Sequence, residues 1–374
     1  MTTGADWSAM LRRGAAVAIV VGMALVVLIP LPAPAPPPGW DAKAPMSTPR
    51  GGFGVAALNG KIYVAGGLQR SGFDLNLTDS LEVYDPASDS WSPLAPLPAP
   101  RWGHVLVAAR GKLFMAGGST DVFASQGMTT DVELYDPGLD RWSPVAPMPE
   151  ARIWAAGFAI SETVQVWGGS PDGGSSAVAT RFSYDPQTNG WTVGQPMPFS
   201  RENSPAVVIG TSVYLTGGWR NLPNATEYRT STQLWRDRAQ MLRGRGAHAA
   251  ADLDGNVYVI AGVTADTTEC APSASVEVYS PATDAWSTFA DYPQAAWALG
   301  AVRIGQLLYA MGGSDCGSSF TSMYSIGSAL TPGSGGPVSF PWALVAVIVV
   351  VAVLVAVALG VLWRRRRKAQ PPAA

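Results

Sequence analysis

Residues 132–152 read VELYDPGLDRWSPVAPMPEAR, and the spacing inside this stretch recurs along the chain. Tyr135 precedes Trp142 by seven positions, and Arg152 follows that Trp by ten. Working outward, Trp40, Trp91, Trp142, Trp191, Trp235 and Trp286 fall at intervals of 51, 51, 49, 44 and 51 residues. Ten positions after each come Arg50, Arg101, Arg152, Arg201, Arg245 and, breaking the series, Ala296. Seven positions before the last five stand Tyr84, Tyr135, Tyr184, Tyr228 and Tyr279. Paired glycines keep step at 66–67, 117–118, 168–169, 217–218 and 312–313, with Ala261–Gly262 in the fifth unit. Four markers in register over six units define an internal repeat, which must be read before any local signal.

Within a unit the apolar runs are short and bounded by turn residues, the signature of strands. In the second unit they are HVLVAA, KLFMAGG, DVELYD and RWSPV, separated by turns such as ARG and DPGLD. Glycine supplies positive φ in such turns and proline fixes the first turn dihedral. Four antiparallel strands per repeat describe a propeller blade, whose faces are covered by its neighbours. The regular Trp suits the wedge between two twisted sheets, where a large ring buries roughly 150–250 Å².

The same markers resemble the kelch repeat: a double glycine after the second strand, a Tyr on the third, a Trp opening the fourth, and an MP..R segment leading to the next blade (APMPEAR, QPMPFSR). The resemblance spans residues 40 to about 329 and implies an all-β, six-bladed kelch-type β-propeller. Ala261 for the first glycine, TEYRT for ELYDP in the fourth unit and Ala296 for Arg depart from the pattern. The sixth unit has three strands, LGAVRIG, LLYAMGG and SMYSI, and no Trp follows them before the terminal apolar run. The stretch GWDAKAPMSTPR at 39–50 has the opposite lack: a Trp and its Arg with no strand before them. The expected solution is a ring closed by an N-terminal fourth strand, which removes the open edges of a linear array.

The two ends are a different kind of sequence. WALVAVIVVVAVLVAVALGVLW, 342–363, runs 22 residues without a charge. As a helix it spans roughly 33 Å. Trp at both ends and the RRRRK cluster at 364–368 mark a transmembrane helix with a cytoplasmic tail. Near the start, Arg12 and Arg13 precede GAAVAIVVGMALVVLIPL, the layout of an export signal. APA at 33–35 has the form of a cleavage site but Pro36 follows it, so cleaved signal and retained anchor both stand. The expected organisation is signal or anchor 1–31, Pro-rich stem 32–39, propeller 40–329, Gly/Ser/Pro stem 330–340, transmembrane helix 341–363 and basic cytoplasmic tail 364–374. The propeller is then extracytoplasmic at the cell membrane.

Counted over 40–329, 18 basic side chains face 26 acidic ones, so nucleic acid is excluded as a partner. Because the closing blade is cut between its third and fourth strands, both stems leave from one side of the wheel. The side bearing the loops between second and third strands then points away from the membrane.

Kelch propellers that bind acidic peptides line their pockets with arginines at the repeat position. The resemblance thus implies ligand-binding roles for Arg50, Arg101, Arg152, Arg201 and Arg245, suited to gripping carboxylates two at a time. The leading expectation is a non-catalytic, cell-surface binding module for a protein or an acidic glycan. The alternative is an exported carbohydrate-active enzyme resembling the sialic acid mutarotases, with Glu202 beside Arg201 as its acid–base pair. His104 and His248, at the same repeat position in opposed blades, are read as channel-lining and structural; two imidazoles do not make a metal site, and no cofactor is expected. Cys270 and Cys316 sit in second-to-third-strand loops of adjacent blades, and in an exported chain they are expected to form a disulfide.

Overall fold

The computed structural model describes residues 39–174, 176–218, 221–264 and 272–327. The expected signal or anchor, the transmembrane helix, the second stem and the basic tail lie outside them. Among the described residues no helix is long and apolar enough to cross a membrane.

Six four-stranded antiparallel sheets form the wheel. The first blade is typical: Gly54–Leu58 innermost, then Lys61–Ala65, Leu81–Asp85 and Ser90–Leu94 outermost. The innermost strands contact one another around a closed circuit. In the sixth blade Gly300–Ile304, Leu307–Met311 and Met323–Gly327 are completed by Asp41–Lys43, with Asp41 opposite Ser325. The N-terminal strand therefore closes the ring as the repeat arithmetic required. Its register sets Ile326, not Tyr324, across from the buried Trp40.

The seven-residue Tyr–Trp interval is a hairpin distance: Tyr84 lies opposite Trp91, and Tyr135 opposite Trp142. Rings of such pairs pack at 5.0–5.2 Å. Each pair also grips the preceding blade. The Trp142 indole N–H donates to Ala95 O (3.0 Å), while Asp140 Oδ1 accepts from Ala95 N (2.8 Å) and Tyr135 OH (2.6 Å). The clamp recurs with Trp91 and Asp89 on Ala44, Trp191 and Asn189 on Ala146, and Trp286 and Asp284 on Ala239. Asp or Asn is needed there twice over, as acceptor and because φ is 46–51° at all four positions, a left-handed region these residues tolerate.

Two seams are built differently. Between the third and fourth blades, Gln195 and Gln233 replace the Ala and Asp, and no clamp is seen among the described residues. Arg181 instead stacks 4.0 Å from the Trp167 ring and 4.2 Å from Tyr228. At the sixth blade the indole bond of the clamp is kept (Trp40 Nε1 to Ala290 O, 3.1 Å), but where Ala296 replaces Arg, Tyr292 packs edge-on against Trp40 (5.2 Å) and Tyr324 (5.4 Å).

Candidate functional site

The five repeat arginines are not at the channel surface. They are only 0–5 % exposed, and their guanidinium groups turn back into their own blades. Arg50 donates to Gly66 O (2.8 Å), Ser80 O (3.1 Å) and the Glu82 carboxylate. Arg245 repeats this on Ala261 O (2.9 Å), Ser275 O (2.8 Å) and Glu277 (2.5 Å). Arg101 and Arg201 reach the carbonyls of Gly117 (3.3 Å) and Gly217 (2.6 Å). Arg152 pairs with Glu150 and Ala151 O and lies 5.0 Å over the Phe182 ring. Burial lowers the pKa of Arg50, Arg101 and Arg201, the last to about 10.

The expected ligand-binding role of these arginines is therefore corrected. A buried polar head must find partners inside the protein; Arg50, Arg101, Arg201 and Arg245 do so by bracing the loop at the paired-glycine position, and Arg152 by its bonds to Glu150 and Ala151 O. The first glycine needs its lack of a side chain: a Cβ at Gly117, where φ is 67°, would sit 2.4 Å from Arg152 O. The second glycine's N–H then donates to that same carbonyl of the next blade (Gly118 N to Arg152 O, 2.8 Å).

What the arginines brace is the rim of the channel. Two positions beyond each repeat Arg, and beyond Ala296, stand Gly52, Gly103, Trp154, Asn203, Ala247 and Ala298, all with φ between 51° and 66°. Each of the six donates its N–H to the carbonyl of the equivalent residue one blade back, Gly103 to Gly52 at 2.7 Å and finally Gly52 to Ala298 at 2.8 Å. Six peptide groups thus form a closed circle of hydrogen bonds about the channel axis.

This circle surrounds a cavity of 790 Å³ that opens on the side of the second-to-third-strand loops. Its walls carry Trp102, Trp154 and Trp297, with Phe53, Asn203 and Asn221, over a floor of Gly, Ala and Val from the innermost strands. Trp102 and Trp154 meet edge-to-face at 5.8 Å, and Trp102 is fixed by donating to Asp121 O (2.9 Å). No Asp, Glu, Lys or Arg lines the cavity among the described residues. Glu202 is buried and is not in the wall, so the structure does not bring it and Arg201 together at the mouth as an acid–base pair.

His104 and His248 do reach the cavity wall, 6 % and 5 % exposed. The His248 Nε2 pairs with Thr216 Oγ1 (2.9 Å), and the His104 ring nitrogens are buried beside the Ala65 backbone of the first blade. Burial first, and then the charge of Arg101, push His104 down to about 3; burial and the charges of Arg245 and Arg201 hold His248 well below its usual value. Both are neutral at physiological pH. Cys316 is disulfide-bonded, and Cys270, its expected partner, lies outside the described residues.

The mouth tryptophans were missed by the repeat reading because they fall off its register. Their signal was a Trp one or two positions past the repeat Arg position, at 102, 154 and 297. Phe73, fully exposed at a hairpin tip, and Phe123 share this face. That hairpin is sewn to the sixth blade by Gly72 N to Gly317 O (2.7 Å) and Arg70 N to Ser319 Oγ (3.0 Å).

Fold and repeat chemistry together define a six-bladed propeller with an open, uncharged mouth on its loop face. The Kelch motif family model matches residues 49–98, 100–149 and 244–291, so the propeller carries kelch motifs. It is 29 % identical over 262 residues to Kelch-like protein 25 of Xenopus tropicalis, covering 67 % of this chain and 42 % of that one. Beta-scruin of Limulus polyphemus is 26 % identical over 283 residues, 71 % of this chain and 30 % of its own. The chain thus spans less than half the length of these relatives. Among solved structures, that of YjhT superposes with a TM-score of 0.64 at 17 % identity, over 75 % of this chain and 96 % of the other, which shows the shared fold.

Proposed function

We propose that this kelch propeller is the recognition module of a membrane-anchored cell-surface protein, docking a protein partner through its loop face. Kelch propellers are typically protein-binding modules. The observation that carries the reading is the division of labour between the two sides of the wheel. The cavity, its three tryptophans and the exposed Phe73 and Phe123 share one face. The two ends of the closing blade, Asp41 and Ser325, are paired at the opposite side. Segment 341–363 would anchor the chain and 364–374 would lie in the cytoplasm, leaving the loop face outward. Exposed aromatic side chains on rigid supports are the residues that dominate docking energetics.

The test is surface labelling and affinity capture on intact cells, with the full chain and a Phe73→Ser, Phe123→Ser variant. The expected result is external labelling of the propeller and a defined partner retained by the parent and lost by the variant. Labelling only in permeabilised cells, or capture indifferent to both substitutions, overturns the proposal.

A further inference from the structure

The docking face has a centre with its own chemistry. The Trp154 and Trp297 rings are partly exposed, and their indole N–H groups have no hydrogen-bond partner among the described residues. The Asn203 side-chain amide is likewise unengaged among the described residues, whereas the His104 ring nitrogens are fully buried against the first blade and are not presented to the cavity. Every polar group offered to a ligand is thus neutral, and each is set among aromatic or apolar surface. Pockets of roughly 300–1,000 Å³ with apolar walls and a few polar groups are the size and make-up of small-ligand sites.

Three ligand classes can be separated on this geometry. An acidic group finds no cation, since the five arginines are turned inward, and the surroundings repel it. Among the described residues the second-to-third-strand loops carry Asp74, Asp79, Asp121, Asp131, Asp172 and Asp315 against Arg70. An extended peptide recognised through its backbone needs free N–H and C=O groups at the rim, and the closed circle of hydrogen bonds has used the N–H groups there. A neutral sugar ring needs neither. Its C–H faces lie on indole rings, and its hydroxyls, both donors and acceptors, match an amide and an indole N–H.

We infer that the channel mouth is a saccharide site, taking a neutral pyranose between Trp154 and Trp297 with its hydroxyls on Asn203 and the indole N–H groups. This rests on the docking reading only in using the same face: the sugar would be the part of a glycosylated partner that enters the cavity. It replaces the acidic glycan expected from the arginine series.

The full-length chain, held in a zwitterionic detergent that carries no sugar, is titrated with neutral pyranosides (glucosides, galactosides, mannosides, N-acetylhexosaminides) and with sialylated and uronic counterparts. Binding is followed by tryptophan emission and calorimetry. The expected result is saturable binding of at least one neutral class, with acidic analogues weaker by about tenfold or more. Trp154→Gly, which suits a position at φ 58°, and Trp297→Ala should each weaken binding by about tenfold or more with unchanged thermal unfolding. Phe73→Ser should leave saccharide affinity unaltered. No binding by any neutral sugar, equal or tighter binding of the acidic ones, or indifference to both Trp substitutions overturns the inference. In each of those cases partner capture by the parent, lost in the Phe73→Ser, Phe123→Ser variant, would leave the docking reading standing.

Discussion

Arg50→Met tests whether the repeat arginines are braces. The substitution keeps the length and apolar stem of the side chain but removes a fully buried guanidinium. Glu82, 2 % exposed, is left without its counter-charge. The carbonyls of Gly66 and Ser80, reached at 2.8 and 3.1 Å, also lose their donor. Removing one partner of a buried pair costs about 3–5 kcal/mol. In a domain this large, each kcal/mol moves the melting temperature by about 2 °C, so a fall of roughly 6–10 °C is expected. The companion variant Arg50→Met, Glu82→Gln removes the stranded charge but keeps an acceptor for Ser47 N, now at 2.8 Å from Glu82, and should recover about half the loss. Thermal unfolding by circular dichroism reads both. A single variant that melts within about 2 °C of the parent while losing affinity for an acidic peptide would refute the brace and restore the arginine as a ligand residue.

Ala247→Gly and Ala298→Gly relieve left-handed backbone at φ 51° and 55° in the rim circle and should each stabilise by about 0.5–1 kcal/mol, read as a raised urea midpoint. Asp140→Ala leaves Tyr135 OH and Ala95 N without their acceptor and should cost about 1–3 kcal/mol; the same substitution at Gln233, where no clamp exists, should change stability by less than about 1 kcal/mol. His104, neutral when folded and depressed to about 3, takes up a proton in the unfolded chain at about 6.5, so its burial has no pH cost above 6.5 and stability falls as pH drops from there toward 3. Each such histidine contributes a slope of up to about 1.4 kcal/mol per pH unit, and His104→Gln should remove its share of the slope in equilibrium unfolding measured from pH 7.5 to 5.

The architecture was legible because its cause is periodic. A Tyr and a Trp seven apart are cross-strand partners in a hairpin, and the lone Trp40 with no Tyr before it could be placed only by closing the ring. The arginines were legible as a series but not in direction. Arg50, Arg101, Arg201 and Arg245 each lie 16 residues before the carbonyl they bind, yet a constant offset within a blade is equally compatible with a side chain facing the channel. Only burial separates the two. The Asp or Asn two positions before each clamp Trp was in plain view, but its value depends on a left-handed turn and on an alanine in the preceding blade, neither visible from spacing. Ala296 looked like a defect in the series, whereas the Trp40–Tyr292–Tyr324 packing shows the closing blade to be held by rings instead of a guanidinium.

That contrast bears on where recognition can reside in such a wheel. A position that recurs in the blades is one whose hydrogen bonds are already committed to seams: the Arg to the glycine carbonyl, the Trp to the preceding alanine, the rim peptides to one another. Groups saturated in this way have little left to offer a ligand, since each protein bond would have to be broken to make a new one. Selectivity must then come from equivalent positions at which the blades differ. The rim supplies them, because its backbone is sixfold while its side chains run Gly52, Gly103, Trp154, Asn203, Ala247 and Ala298. The neighbouring Trp102 and Trp297 break the symmetry further, placing indole rings at the entries to the second, third and sixth blades. A ligand bound there has a single preferred orientation, which the repeat by itself could not impose.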